Sequence, residues 1–284
     1  MAATAQVASA RHGGLPARGG RAGAGGAVRS ELTKIRSVRS TFWTLAAMIL
    51  VTIGIGALFS FGHAQSFGQL TAAQQARVSP ESIAHAADYS LFGLILGQLI
   101  VAVLGALTIT SEYSTGMVRT SLTVMPRRGT LFAAKGLVFA AVALAAGLAT
   151  SFASFFIGQA ILSTQHISTT LGHPGVLRSV VGGGLFLACC GLLSYGIGAV
   201  LRHSAGAITA SIALLFVAYI LSNFLPRSWA EHVDKWIPFN AGAAIWENVS
   251  APDMFSPWTG FAVFAAYTAV ALAAGLILFR RRDA

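Results

Sequence analysis

Runs of about 20 apolar residues, at 42–61, 91–109, 131–157, 180–201, 205–225 and 258–279, dominate this chain. At about 1.5 Å per residue, such a run coiled as a helix crosses a hydrocarbon layer roughly 30 Å thick. Only helices and closed barrels satisfy every backbone polar group in lipid, and the short alternating segments of a barrel are missing. The runs therefore predict an all-α integral membrane protein with six transmembrane helices. The third run is longer than one crossing needs and is expected to tilt or to end early. Composition agrees: 55% of residues are apolar, 10% are charged, and the mean hydropathy is +0.70.

A net charge of +10 invites a nucleic-acid reading, which its distribution argues against. Of 19 lysines and arginines, only Arg77, Arg178, Arg227 and Lys235 fall in the first, third and fifth connecting segments. The rest lie with the N-terminus, the second loop, the fourth turn and the C-terminus. Basic residues stay on the cytoplasmic side during insertion, so both termini are expected there. The expected setting is a membrane crossed several times, with no nucleic-acid partner.

Residues 1–29 are Ala, Gly and Arg with little to bury, and read as a disordered basic cytoplasmic tail. No signal peptide is expected, because the first apolar run starts at Phe42 and is full length. From Ser30 the pattern changes. Leu32, Ile35, Val38 and Phe42 fall within an arc of about 120° on a helical wheel, opposite Lys34, Arg36 and Ser37. Arg39 intrudes on the apolar arc. A short interfacial helix before the first span fits this pattern.

The segment before the last span mixes Trp229, Trp236, Trp246 and Trp258 with Pro226, Pro238, Pro252 and Pro257. Tryptophan suits the headgroup level, and proline breaks a single helix. Residues 236–246, WIPFNAGAAIW, are too apolar for a solvated loop and too few to span. A re-entrant outer segment is expected.

Several chemistries can be set aside. A P-loop lysine follows a glycine, whereas Lys34, Lys135 and Lys235 follow Thr33, Ala134 and Asp234. Any ATP and Mg this protein uses must be bound by another chain, so no cofactor is expected in this one. Ser194 lies in GLLSYG, but the nucleophile-elbow pattern needs Gly where Leu192 stands, and His203 has no evident carboxylate partner. The histidines show no ligand-pair spacing, and no metal is expected. Cys189 and Cys190 are adjacent inside the fourth run and read as small packing residues. No catalytic residue is assigned. Gln98, Ser194, Tyr195 and Asn223 are the main uncharged polar candidates within the spans, for a substrate path or for interhelical hydrogen bonds.

The polar interruption from Glu112 to Arg128 has no reason to exist in a bilayer. Glu112 stands at the boundary, Gly116 allows a turn, Pro126 ends the segment, and Arg127 and Arg128 suit lipid phosphates. Read as a short helix between two spans, it offers a surface to a soluble partner.

Here a family resemblance enters. SELTKIRSVRSTFWTL at 30–45, SEYSTGMVRTSLTVMPRRGTLFAAK at 111–135 and the 236–246 segment resemble the membrane subunits of ABC-2 type exporters, particularly actinobacterial ones. The resemblance extends over most of 30–282. It implies a permease that dimerises, as a homodimer here, and binds separate cytosolic ABC ATPase subunits. It also implies that Glu112, Tyr113, Ser114, Thr115, Gly116, Met117, Arg119, Arg127 and Arg128 belong to an ATPase-coupling segment. Lys34, Arg36 and Arg39 would belong to the flanking interfacial connecting helix. Glu112→Arg would then leave the chain folded while uncoupling it. An ATP-independent carrier, an intramembrane enzyme or a scaffold are the rival readings.

Overall fold

The computed structural model describes residues 25–26, 29, 33, 39–75, 85–114, 128–226, 229, 232–248 and 253–281. Among them there is no strand, and six helices are long and apolar enough to cross a membrane. They are Arg39–Gly68, Ala86–Tyr113, Arg128–Gln165, Val176–Leu201, Ser204–Ser222 and Pro257–Arg281. Each expected run coincides with one helix; most helices extend past their run, while the fifth ends at Ser222, three residues short of its run. The third does not end early: its 38 residues are unbroken, roughly 57 Å at helical rise. The sequence points at 1–29, at Lys34 and Arg36, and at 115–127 lie almost wholly outside the described residues. Arg39 is the first residue of the first span.

The fourth span is the hub, packing against the second, third and sixth. Of its most apolar stretch 67% is buried inside the bundle, against 17% for the fifth and sixth spans. Around the first span, Phe42, Trp43, Leu50, Leu58 and Phe61 stay exposed, an apolar belt suited to lipid. Small residues let the backbones close in. Gly93, at the break between helices Ala86–Leu91 and Leu94–Ser114, abuts the Thr52 carbonyl of the first span. Gly105 meets the Gly191 carbonyl in the same way, joining the second and fourth spans.

Polar residues of the third span add hydrogen bonds. Ser154 Oγ donates to the Ser90 carbonyl at 2.6 Å, and Ser151 Oγ to the Val180 carbonyl at 2.6 Å. Gln159 donates to the Ala86 carbonyl and to Ser90 Oγ, both at 2.9 Å, while its own oxygen accepts from Thr169 N at 2.7 Å. In a lipid-embedded bundle such bonds each contribute about 0.6 kcal/mol.

The fourth and fifth spans join at Arg202 and His203. Arg202 takes the left-handed conformation at φ 57, closing the fourth helix onto the Gly198 carbonyl. The His203 ring accepts from Gly206 N at 3.2 Å and caps the fifth. That fifth span passes through a π-helical turn at Ala213–Val217.

The apolar 236–246 segment folds as a 3-10 turn, Asp234–Trp236, then the helix Pro238–Ala243, which starts on its proline. Phe239, Ile245 and Trp246 are buried against Phe186 of the fourth span and its neighbours. Arg178 holds the segment's end, donating to the carbonyls of Ala244, Ile245 and Glu247 at 3.2, 3.1 and 3.1 Å.

Candidate functional site

The two ends of the bundle differ in chemistry. At one end the second span terminates in Glu112 and Tyr113, and the third begins at Arg128. Glu112 does not face solvent: it is 4% exposed, and its Oε1 lies 2.8 Å from Lys135 Nζ. Lys135 is 5% exposed, so its stem does not snorkel outward as a residue near a helix start can. A neutral pairing of opposite charges is the form in which two ions tolerate burial.

Tyr113 extends the same contact network. The Arg202 guanidinium stands 4.9 Å above its ring, and Phe279 of the sixth span meets the ring edge-on at 6.3 Å. Arg202 Nη2 also reaches the Leu278 carbonyl at 3.4 Å, and Arg280 lies against Gly129. The ends of the second, fourth and sixth spans and the starts of the third and fifth thus form one clamp. Ser114 is the last residue of its helix and Arg128 the first of the next. Thr115, Gly116, Met117, Arg119 and Arg127 lie outside the described residues.

Of the four polar candidates for a substrate path, Gln98, Ser194 and Tyr195 are fully buried. Ser194 Oγ donates to the Cys190 carbonyl of its own helix at 3.0 Å, and Tyr195 Oη donates to the Phe132 carbonyl at 2.9 Å. Tyr195 also packs on Phe132 and Phe139, so its work is helix packing. Gln98 touches Cys190 Sγ weakly at 3.9 Å, and its Nε2 has no hydrogen-bond partner among the described residues. Asn223 is exposed at the far end of the fifth span. Cys189 and Cys190 are free thiols packed among the helices.

At that far end a cavity of about 460 Å³ opens among the start of the second span, the end of the fifth and the 234–247 segment. Asn223 lines it, with Asp88, Asp234 and Glu247 supplying carboxylates and Tyr89, Tyr219 and Trp246 supplying rings. Asp88 Oδ1 accepts from Asn248 N at 2.7 Å, and its Oδ2 lies 3.3 Å from His85 Nδ1. Burial, and then the neighbouring charge of Asp88, pushes the Glu247 carboxyl up to about 7. Among the described residues no three His, Cys, Asp or Glu side chains converge as metal ligands.

The sequence singled out Asn223 but missed the cavity around it. The carboxylates belong to separate segments, and nothing local in any of them marks it. The one available signal is the acidic residue beside a tryptophan, Trp246–Glu247, in a stretch too apolar to be solvated.

Six membrane-length helices, closed by a basic clamp at one end and an acidic, aromatic cavity at the other, define a multi-pass α-helical membrane protein. The family model described as ABC-2 family transporter protein matches residues 28–284, and the chain belongs to that family. It is a transmembrane permease, a membrane component of transport. No curated protein matches the chain in sequence.

Proposed function

We propose that this chain forms the substrate path of an ATP-driven exporter and is driven by a separate ABC ATPase. In this reading the ATPase docks on the segment that joins the second and third spans. The clamp is the observation that supports it. The residues flanking 115–127 are tied by Glu112–Lys135 to each other and by Tyr113–Arg202 to the later spans. A displacement applied to that segment therefore moves the ends of the helices together instead of fraying one of them.

The basic end is then cytoplasmic, with both termini, as the positive-inside bias requires. The 236–246 segment is the re-entrant element of the outer side. Two copies, as a homodimer, enclose the path in a bacterial cytoplasmic membrane, and Mg-bound ATP stays in the partner subunits. Outward transport follows from the resemblance to exporters.

Co-purification in mild detergent with an ABC ATPase encoded beside this chain tests the reading. The expected result is a stable complex whose ATP hydrolysis is stimulated by the permease, and loss of both on Met117→Arg while membrane insertion persists. A native chain that purifies alone, or a Met117→Arg complex with normal coupled hydrolysis, overturns it.

A further inference from the structure

We propose that the cavity at the acidic end binds an amphipathic organic cation bearing a hydrogen-bond acceptor, held between aromatic rings and the carboxylates of Asp88, Asp234 and Glu247. That this ligand is cargo rests on the transport reading above; that the cavity binds a cation does not.

Size comes first. About 460 Å³ lies within the range of pockets for drug-sized molecules, and is far more than a metal ion needs. The carboxylates do not converge as a metal cluster would, but stand apart on different elements.

Charge comes next. Three carboxylates line the wall with His85, which lies 3.3 Å from Asp88, and among the described residues no lysine or arginine lines it with them. Arg178 stands outside the lining, bound to the carbonyls of Ala244, Ile245 and Glu247, and its charge acts on Asp88. Lys235 points to the Phe255 ring, 5.9 Å away. A bound cation would therefore meet carboxylates on the lining and no lysine or arginine side chain there.

Two unmet hydrogen-bonding groups refine the ligand. Among the described residues, Asp234 Oδ1 is buried without a hydrogen-bond partner, an acceptor suited to a donor such as an ammonium N–H. Trp246, 3% exposed, carries an indole N–H that likewise has no partner among the described residues, a donor suited to an ether, hydroxyl or carbonyl oxygen. Leaving such groups empty inside a protein costs free energy, and one ligand with both functions would satisfy the two together. The rings of Tyr89 and Tyr219 provide the faces on which a cation is favoured.

Fluorescence titration of the purified chain, in neutral detergent and without any ATPase, tests the proposal with rhodamine 6G, an amphipathic cation carrying N–H groups and an ester carbonyl, as the probe. The anionic dye anilinonaphthalene sulfonate serves as the contrast. Saturable rhodamine 6G binding is expected, weakened about tenfold in the Asp234→Asn, Glu247→Gln double variant. The anionic dye should bind more weakly than rhodamine 6G to the native chain. Absence of saturable rhodamine 6G binding, unchanged affinity in the double variant, or equal affinity for the anionic dye each overturns the proposal. The single variant Asp234→Asn guards against misfolding, since it is isosteric and one carboxyl oxygen has no partner among the described residues, and should itself weaken binding. Because no ATPase is present, failure here leaves the coupling test untouched, and failure of coupling leaves this result standing.

Discussion

Glu112 Oε1 lies 2.8 Å from Lys135 Nζ, and each side chain is 6% exposed. The pair joins the last turn of the second span to the second turn of the third, across the segment proposed above for ATPase docking. Desolvating both ions is expensive, so removing one partner strands the other. This bears on the expectation read from sequence, in which Glu112 stood at the membrane boundary and Glu112→Arg left the fold intact. With Lys135 opposite, Glu112→Arg places two cations together in a buried site. Both Glu112→Arg and Glu112→Gln should lower stability by about 3–5 kcal/mol, read as a reduced melting temperature in detergent. The exchanged pair, Glu112→Lys with Lys135→Glu, should recover part of that loss. A Glu112→Arg protein that melts like the native one would overturn the structural role.

Arg202 combines a backbone and a side-chain function, and two substitutions separate them. Its φ of 57 favours glycine, while its guanidinium covers Tyr113 and bonds the Leu278 carbonyl. Arg202→Ala loses the side chain and keeps the backbone strain, so it should cost about 1–2 kcal/mol. Arg202→Gly loses the same contacts but relieves the strain, and should melt within about 0.5 kcal/mol of the native protein. If the clamp transmits motion, both variants should show reduced permease-stimulated ATP hydrolysis. Full hydrolysis in both would remove Arg202 from the coupling path.

The spans were legible because a membrane demands long apolar runs, and that signal survives any detail of packing. Their ends were less so: Gly62 to Gly68 remain helical although His63, Gln65 and Ser66 break the apolar run. What the sequence concealed is pairing across distance. Lys135 is 23 residues from Glu112, and Arg202 is far from Tyr113 in the chain, so neither partnership has a local signature. The acidic cavity is assembled from three segments for the same reason. Ser194 and Tyr195 were visible as polar residues in lipid, yet only the packed helices show that they bond neighbouring backbone.

Glycine tolerance should follow contact and ignore composition. A methyl group added at Gly93 would run into the Thr52 carbonyl, a backbone atom that cannot turn aside. Gly93→Ala should therefore separate the first and second spans and cost about 1–3 kcal/mol or more. Gly54, on the same first span, has nothing within 4 Å of that position. Gly54→Ala should be neutral, or stabilising by up to about 1 kcal/mol through helix propensity. Melting curves of the two single variants decide the matter, and equal behaviour would contradict the packing described.

Glu247 should make stability depend on pH in an unusual direction for a carboxylate. Its pKa is raised from an ordinary 4.5 to about 7 by burial and by Asp88, so the folded chain holds this proton more tightly than the unfolded one does. The protonated form carries no penalty below the unfolded value. Between 4.5 and about 7 the unfolded chain ionises first, and stability falls as pH rises; above about 7 the full penalty is present. Groups facing Glu247 set the background. Asp88 repels its charge, His85 sits on Asp88, Arg178 binds the Glu247 carbonyl, and Asp234 shares the cavity. Glu247→Gln keeps the shape and removes the ionisation. It should match the native melting temperature near pH 4 and exceed it near pH 8, by up to about 3 kcal/mol in stability. A difference independent of pH would show that Glu247 is solvated like a surface carboxylate, and would leave the cavity without a desolvated charge.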